Sequence, residues 1–173
     1  MKFANAPSLL FFIAVFCFSS HRSSAQFSLP FDSTSNLYVL KGQRATEIAC
    51  KKKVAKIIQV WLAEKQVYPP MVFSTIHRDK RYFVIKGLTE VPSKKGIHPV
   101  SFKLEVTLGR KAFGYRFDNF YFEDIKLSLE DWVQKYEASG NERNAANIKL
   151  VSGEIESYVF LTLELLTNKI NDQ

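Results

Sequence analysis

Cysteine is almost absent from this chain of 173 residues, which holds two. One of them, Cys17, lies in an N-terminal apolar run, so the body of the chain has Cys50 alone and can form no internal disulfide. The fold must then be held by its core, and Cys50 reads as a small buried hydrophobe of a helix. Histidine is nearly as scarce. Beyond His21 there are only His77 and His98, too few for most metal-dependent hydrolase sites. His77 ends a strand beside a charged turn and His98 precedes Pro99, so both are expected to be solvated. There is no G-x-S-x-G elbow, no phosphate-cradling glycine loop and no H-E-x-x-H. No catalytic residue, metal site or cofactor is therefore expected. Acidic residues are outnumbered, 17 against 24 basic ones, for a net charge of +7.

Long apolar runs are missing too. The longest, Leu9–Phe18, is far short of the ~20 residues that cross a bilayer as a helix. With Lys2 before it and Ser23-Ser24-Ala25 after it, residues 1–25 read as an export signal cleaved before Gln26. The mature protein is expected to be periplasmic or extracellular, with no membrane span left. Residues 26–36 are polar and read as a loose lead-in, and residues 37–173 as a single domain.

What is present is concentrated in VSFKLEVTLGRKAFGYRFDNFYFE, Val100 to Glu123. Val100, Phe102, Leu104, Val106 and Leu108 alternate with polar residues, the period of a strand with one wet face. Phe113, Tyr115 and Phe117 alternate in the same way after Gly109–Ala112. Setting Leu108 against Phe113 pairs Val106 with Tyr115 and Leu104 with Phe117 on the dry side. On the wet side it sets Glu105 against Arg116 and Lys103 against Asp118. Opposite charges across a ladder contribute roughly 0.2–1 kcal/mol each. The apolar phase then slips, from Phe117 to Phe120 and Phe122, which predicts a one-residue bulge at Asp118-Asn119 and a strongly curved sheet.

Before this hairpin, Leu37–Leu40 reads as a short strand. Thr46 and Glu47 read as the start of a helix that buries Ile48, Val54, Ile57, Ile58, Trp61 and Leu62 and stops before Tyr68-Pro69-Pro70. Lys51, Lys52, Lys53 and Lys56 form its solvated side, not a nucleic-acid patch. Met71–His77 and Tyr82–Gly87 read as two strands whose buried face the alternation leaves open. Leu88–Pro99, with Pro92, Gly96 and Pro99, reads as a long connection. After the hairpin, Ser128 and Asp131 resemble a capping box for a short helix, Ser139-Gly140-Asn141 interrupts, and a long helix follows. Its stripe is Ile148, Val151, Ile155, Tyr158, Leu165 and Leu166.

The order β-α-β-β-β-β-α points to an α+β fold, a curved antiparallel sheet with two main helices on its dry face. Ala25-Gln26-Phe27 at the signal's end, the helix from Val54 to Trp61 and the hairpin resemble bacterial cell-envelope proteins that share a domain of unknown function with a TATA-binding-protein-like fold. The resemblance covers roughly Leu37–Glu123. It implies the same layered sheet and carries over no functional residue.

Function then rests on surfaces. The open sheet face would present Lys103, Glu105, Arg116 and Asp118, with Tyr121 displaced onto it by the bulge as an aromatic anchor. The turns at 78–81 and 109–112 would bring Arg78, Lys80, Arg81, Arg110 and Lys111 to one sheet end. Such turns keep strand ends soluble, and converged they would attract anions. The expectation is a non-catalytic binding module whose partner is an envelope protein or an anionic envelope component, not a nucleic acid. Two alternatives are a carrier of a small apolar ligand or lipid, with a cavity lined by Phe102, Leu104, Phe117 and Tyr158, and an envelope hydrolase.

Overall fold

The computed structural model describes residues 29–48, 50–63, 72–78 and 81–172. The expected signal segment, the helix stop before Pro69, Asp79 and Lys80 lie outside them. The described residues form eight strands and three helices in order: β1 (Phe31–Asp32), β2 (Leu37–Tyr38), β3 (Leu40–Ala45), α1 (Lys51–Ala63), β4 (Val72–Arg78), β5 (Tyr82–Ser93), β6 (Gly96–Leu108), β7 (Ala112–Phe122), β8 (Leu127–Ser128), α2 (Leu129–Glu137) and α3 (Glu142–Asn171). The main sheet is antiparallel, in the order β3-β7-β6-β5-β4, with β8 added beside β7. It is curved and open.

The β6–β7 hairpin has the expected register. Leu108 pairs with Phe113, Val106 with Tyr115, Leu104 with Phe117, Glu105 with Arg116, Lys103 with Asp118 and Val100 with Phe122. The register shifts between Ser101 and Lys103, opposite Asn119, whose φ of 54° places it in the left-handed region. A second shift in β4, between Thr75 and His77, adds to the curvature. The face of the first two meander strands is settled as well. Phe83 and Ile85 are fully buried and Phe73 packs on the core, while Tyr82 and Val84 stay half-exposed.

Two close approaches fix the sheet's inner surface. Gly42 pairs with Tyr115 and Gly87 with Phe102, and in each pair the aromatic ring lies across the glycine. A Cβ on Gly87 would fall 2.1 Å from the Phe102 ring, so no side chain fits there. Phe102 in turn packs on Phe73, Phe117 and Phe120, at centroid distances of 6.3, 5.6 and 6.2 Å.

Against this surface lie Val54, Ile57, Ile58 and Trp61 of α1, Trp132 and Val133 of α2, and Ile148, Val151, Ile155, Val159, Leu163, Leu166 and Ile170 of α3, all in one buried cluster. At 30 residues, α3 is about 45 Å long, enough to cross the sheet. Its buried hydroxyls Ser152 and Thr162 bond back to the carbonyls of Lys149 and Tyr158, which satisfies them without breaking the helix. Ser128 caps α2, accepting from the Asp131 N–H at 3.1 Å, and Asn141 caps α3.

Four readings need correction. The helix expected from Thr46 starts at Lys51, because the Thr46 N–H continues the β3–β7 ladder by donating to the Lys111 carbonyl and its hydroxyl donates to the Ile48 carbonyl. Cys50 therefore precedes the helix and is exposed. Leu88–Pro99 is no connection but the outer half of a long hairpin that turns at Lys94-Lys95. Its prolines are tolerated because, among the described residues, β4 reaches only to Leu88 and β7 only to Val100. Beyond β7, Pro99 needs only its carbonyl, which accepts the Glu123 N–H at 2.9 Å. Finally, from Leu29 onward the supposed lead-in is packed. Leu29 is buried, β1 pairs with β2, and the Tyr38 N–H donates to Glu130 at 2.7 Å.

Candidate functional site on the outer sheet face

Each described helix buries one apolar side in the core beneath the sheet, so among the described residues the outer face is left to the sheet's own side chains and the N-terminal hairpin. In the middle of it the sequence-derived set meets. Lys103 Nζ stands 2.9 Å from Glu105 and 3.1 Å from Asp118, and Arg116 Nε donates to the other Asp118 oxygen at 2.6 Å. Asp118 is 1% exposed, a buried acid between two half-buried cations. The charge-assisted bond to Asp118 raises the Arg116 pKa. Burial alone would lower that of Lys103, and its bonds to Glu105 and Asp118 override this and raise it.

The N-terminal hairpin closes one flank. Asp32 lies 3.8 Å from Arg116 and Ser35 accepts from it at 3.4 Å. Beside the network is a shallow depression of about 360 Å³, lined by Lys41, Gln43, Glu105, Thr107, Gly114 and Arg116 among others. Gly114, which carries no side chain, leaves this part of the face low.

Tyr121 is on the same face but half-buried, with Ser101 of β6 and Ser128 of β8 as its register neighbours, so it is flush and not a projecting anchor. Beyond it Glu123 pairs with Lys86 at 3.3 Å and Lys126 at 3.7 Å, and the Ser101 hydroxyl holds its carboxyl below the usual range.

The basic turns do share a sheet end. Leu108 donates to the Arg81 carbonyl, which ties the β4–β5 turn to the β6–β7 turn, and Arg78, Arg81, Arg110 and Lys111 are all exposed there. Arg44 joins them through its pairing with Phe113, a cation the alternation did not single out. Neither described depression is lined by Phe102, Leu104, Phe117 or Tyr158; the second lies between α1 and α3, at Lys53, Lys56, Ile57, Val60 and Lys169.

His98 was misplaced by the sequence reading. It belongs to β6, its side chain is 13% exposed, and both ring nitrogens are engaged, by Asp124 at 2.6 Å and by Ser93 at 3.0 Å. The signal was hidden because Ser93 and His98 become diagonal neighbours only once the hairpin through Lys94-Lys95 is known. Among the described residues no cluster could hold a metal ion, and no helix is long and apolar enough to cross a membrane.

The same arrangement of sheet and helices occurs in solved structures. A TBP-like protein from Parabacteroides distasonis superposes with a TM-score of 0.62 at 10% identity, over 82% of this chain and 96% of that one. The fold is TBP-like. A DUF4468 family protein from Bacteroides ovatus shares it at a TM-score of 0.56 and 12% identity, over 80% of this chain and 90% of that one. No family model matches the sequence, and no curated protein does. At such identities the likeness is one of TBP-like architecture alone, and activity has to be argued from the site.

Proposed function

We propose that the protein is an exported binding module of the cell envelope that holds a partner protein on the outer face of its sheet. The observation that carries this reading is the network of Lys103, Glu105, Asp118, Arg116 and Asp32, fixed by ion pairs on a face that no described helix covers. Such a network is set before a partner arrives, so few side chains lose freedom on binding. Its charges are mixed. Two cations against three acids suit the polar surface of a protein better than a uniform polyanion. The basic sheet end would add an anionic contact at the margin, from envelope phosphate or an acidic glycan.

The test is photo-crosslinking in the native envelope. A crosslinker at exposed Gln43 or Thr107, on the outer face, is expected to trap a reproducible protein partner, and one at exposed Phe160 on α3 is not. Equal trapping from both faces, or none from the outer one, counts against the reading. Mass spectrometry of the same material is expected to show an N-terminus at Gln26.

A further inference from the structure

The bonds of the His98 ring fix its tautomer. A carboxylate only accepts, so Nδ1 carries the proton toward Asp124 Oδ2, and Nε2 is left to accept from the Ser93 hydroxyl. Acid, imidazole and hydroxyl are then joined in the order that lets a histidine take the hydroxyl's proton while the carboxylate steadies the imidazolium. We propose that Ser93, His98 and Asp124 form an acyl-transfer site, with Ser93 as the nucleophile and small esters bearing an anionic group as substrates.

The three residues come from separate segments, and each is held from outside the trio. Ser93 and His98 are set by the β5–β6 ladder, in which Val91 pairs with His98 and Ser93 with Gly96. The buried Asn147 of α3 accepts the Lys94 N–H at 2.7 Å and fixes the hairpin tip. The His98 ring stands edge-on to Phe122 at 5.7 Å. Asp124 follows β7 directly. Burial would raise its pKa, but the bond and charge of His98 together with the Asp124 and Ile125 N–H groups outweigh this and keep the carboxyl below its usual range. Lys94 and Lys95 follow Ser93 directly and are exposed. The Lys95 ammonium lies over the Tyr136 ring at 5.2 Å, so Lys94 is the ground for an anionic substrate. The Lys95 N–H donates to Ser93 Oγ at 3.1 Å and holds it in place.

In the reaction, Ser93 Oγ adds to the ester carbonyl carbon and its proton passes to His98 Nε2. The bond to the leaving alcohol breaks, the alcohol departs with that proton, and an acyl-serine remains. Water then attacks the acyl-serine and gives a proton to His98. The bond from Ser93 Oγ to the acyl carbon breaks, the acid leaves, and His98 returns the proton to Ser93 Oγ. The Asp124 side chain is 36% exposed, so water weakens its hold on the ring and turnover is expected to be slow.

The proposal does not depend on the outer face, since this hairpin tip is at the opposite end of β5 and β6 from the basic turns. Its test is labelling of the full chain with a fluorophosphonate, read by intact mass and peptide mapping. A single adduct on Ser93 is expected, absent in Ser93→Ala. In His98→Gln and Asp124→Asn the labelling rate is expected to fall, roughly 10²-fold for the histidine, while circular dichroism shows both variants still folded at the labelling temperature. A folded parent protein that gives no adduct at Ser93, or variants labelled at the parent's rate, would overturn it.

Discussion

Asn119 decides what the two faces of β7 can hold. With regular alternation Asp118 and Phe120 would point the same way. One extra residue in the left-handed region sends Asp118 outward to Arg116 and Lys103, and Phe120 inward to Phe102. Asparagine tolerates that conformation at little cost, whereas other non-glycine residues lose roughly 1–2 kcal/mol in it. Replacing exposed Asn119 by Gly is therefore expected to leave unfolding free energy within about 0.5 kcal/mol of the parent value. Asn119→Val is expected to lower it by about 1–2 kcal/mol. Urea titration of both variants checks this, and a neutral valine would show that the positive φ is not needed.

At the scale of elements, the sheet is organised by a side chain that is missing. Phe102 occupies the space above Gly87, so Gly87→Ala is an overpacking change, expected to cost about 1–3 kcal/mol. Combining it with Phe102→Leu should recover part of that loss, because the two changes share one volume and are not additive. Additive losses in denaturant titrations would mean that the ring does not bear on Gly87. The same contact shows what the sequence made legible. The β6–β7 register could be read because two sets of pairs, apolar on one side and charged on the other, agree on it. The β5–β6 hairpin could not. Its outer half has Pro92, Gly96 and Pro99, residues that read as loop, and only the place where β4 and β7 stop shows why they do no harm. The candidate site divides likewise. Lys103, Glu105, Arg116 and Asp118 lie on one hairpin and were found. The contact of Arg116 with Asp32 and that of His98 with Asp124 join segments whose approach no local pattern encodes.

For the whole molecule, distant segments are joined by acids that are better served folded than unfolded. Asp32 is held below its usual 3.8 first by the Thr34 N–H, and Glu123 below 4.5 first by the Ser101 hydroxyl. Asp124 also lies below 3.8, because His98 and two backbone N–H groups together outweigh its burial. A carboxyl with a lowered folded pKa binds protons less readily than the unfolded chain does. Its stabilisation is present above the unfolded value and is lost as pH falls through the folded one. Lys103 runs the other way. Its raised pKa gives stability below 10.5 that goes as pH climbs past the folded value. Stability should thus be level from about pH 6 to about pH 9 and fall on the acid side below about pH 4.5, where the chain's positive surplus also grows. Glu123→Gln removes one of the titrating groups while keeping a hydrogen-bonding side chain. Its melting temperature is expected to lie below the parent's at pH 7 and to converge with it toward pH 3, since by then the parent has lost the same charge. A gap between the two that stays constant from pH 7 to pH 3 would show that Glu123 holds the sheet by shape and not by its charge.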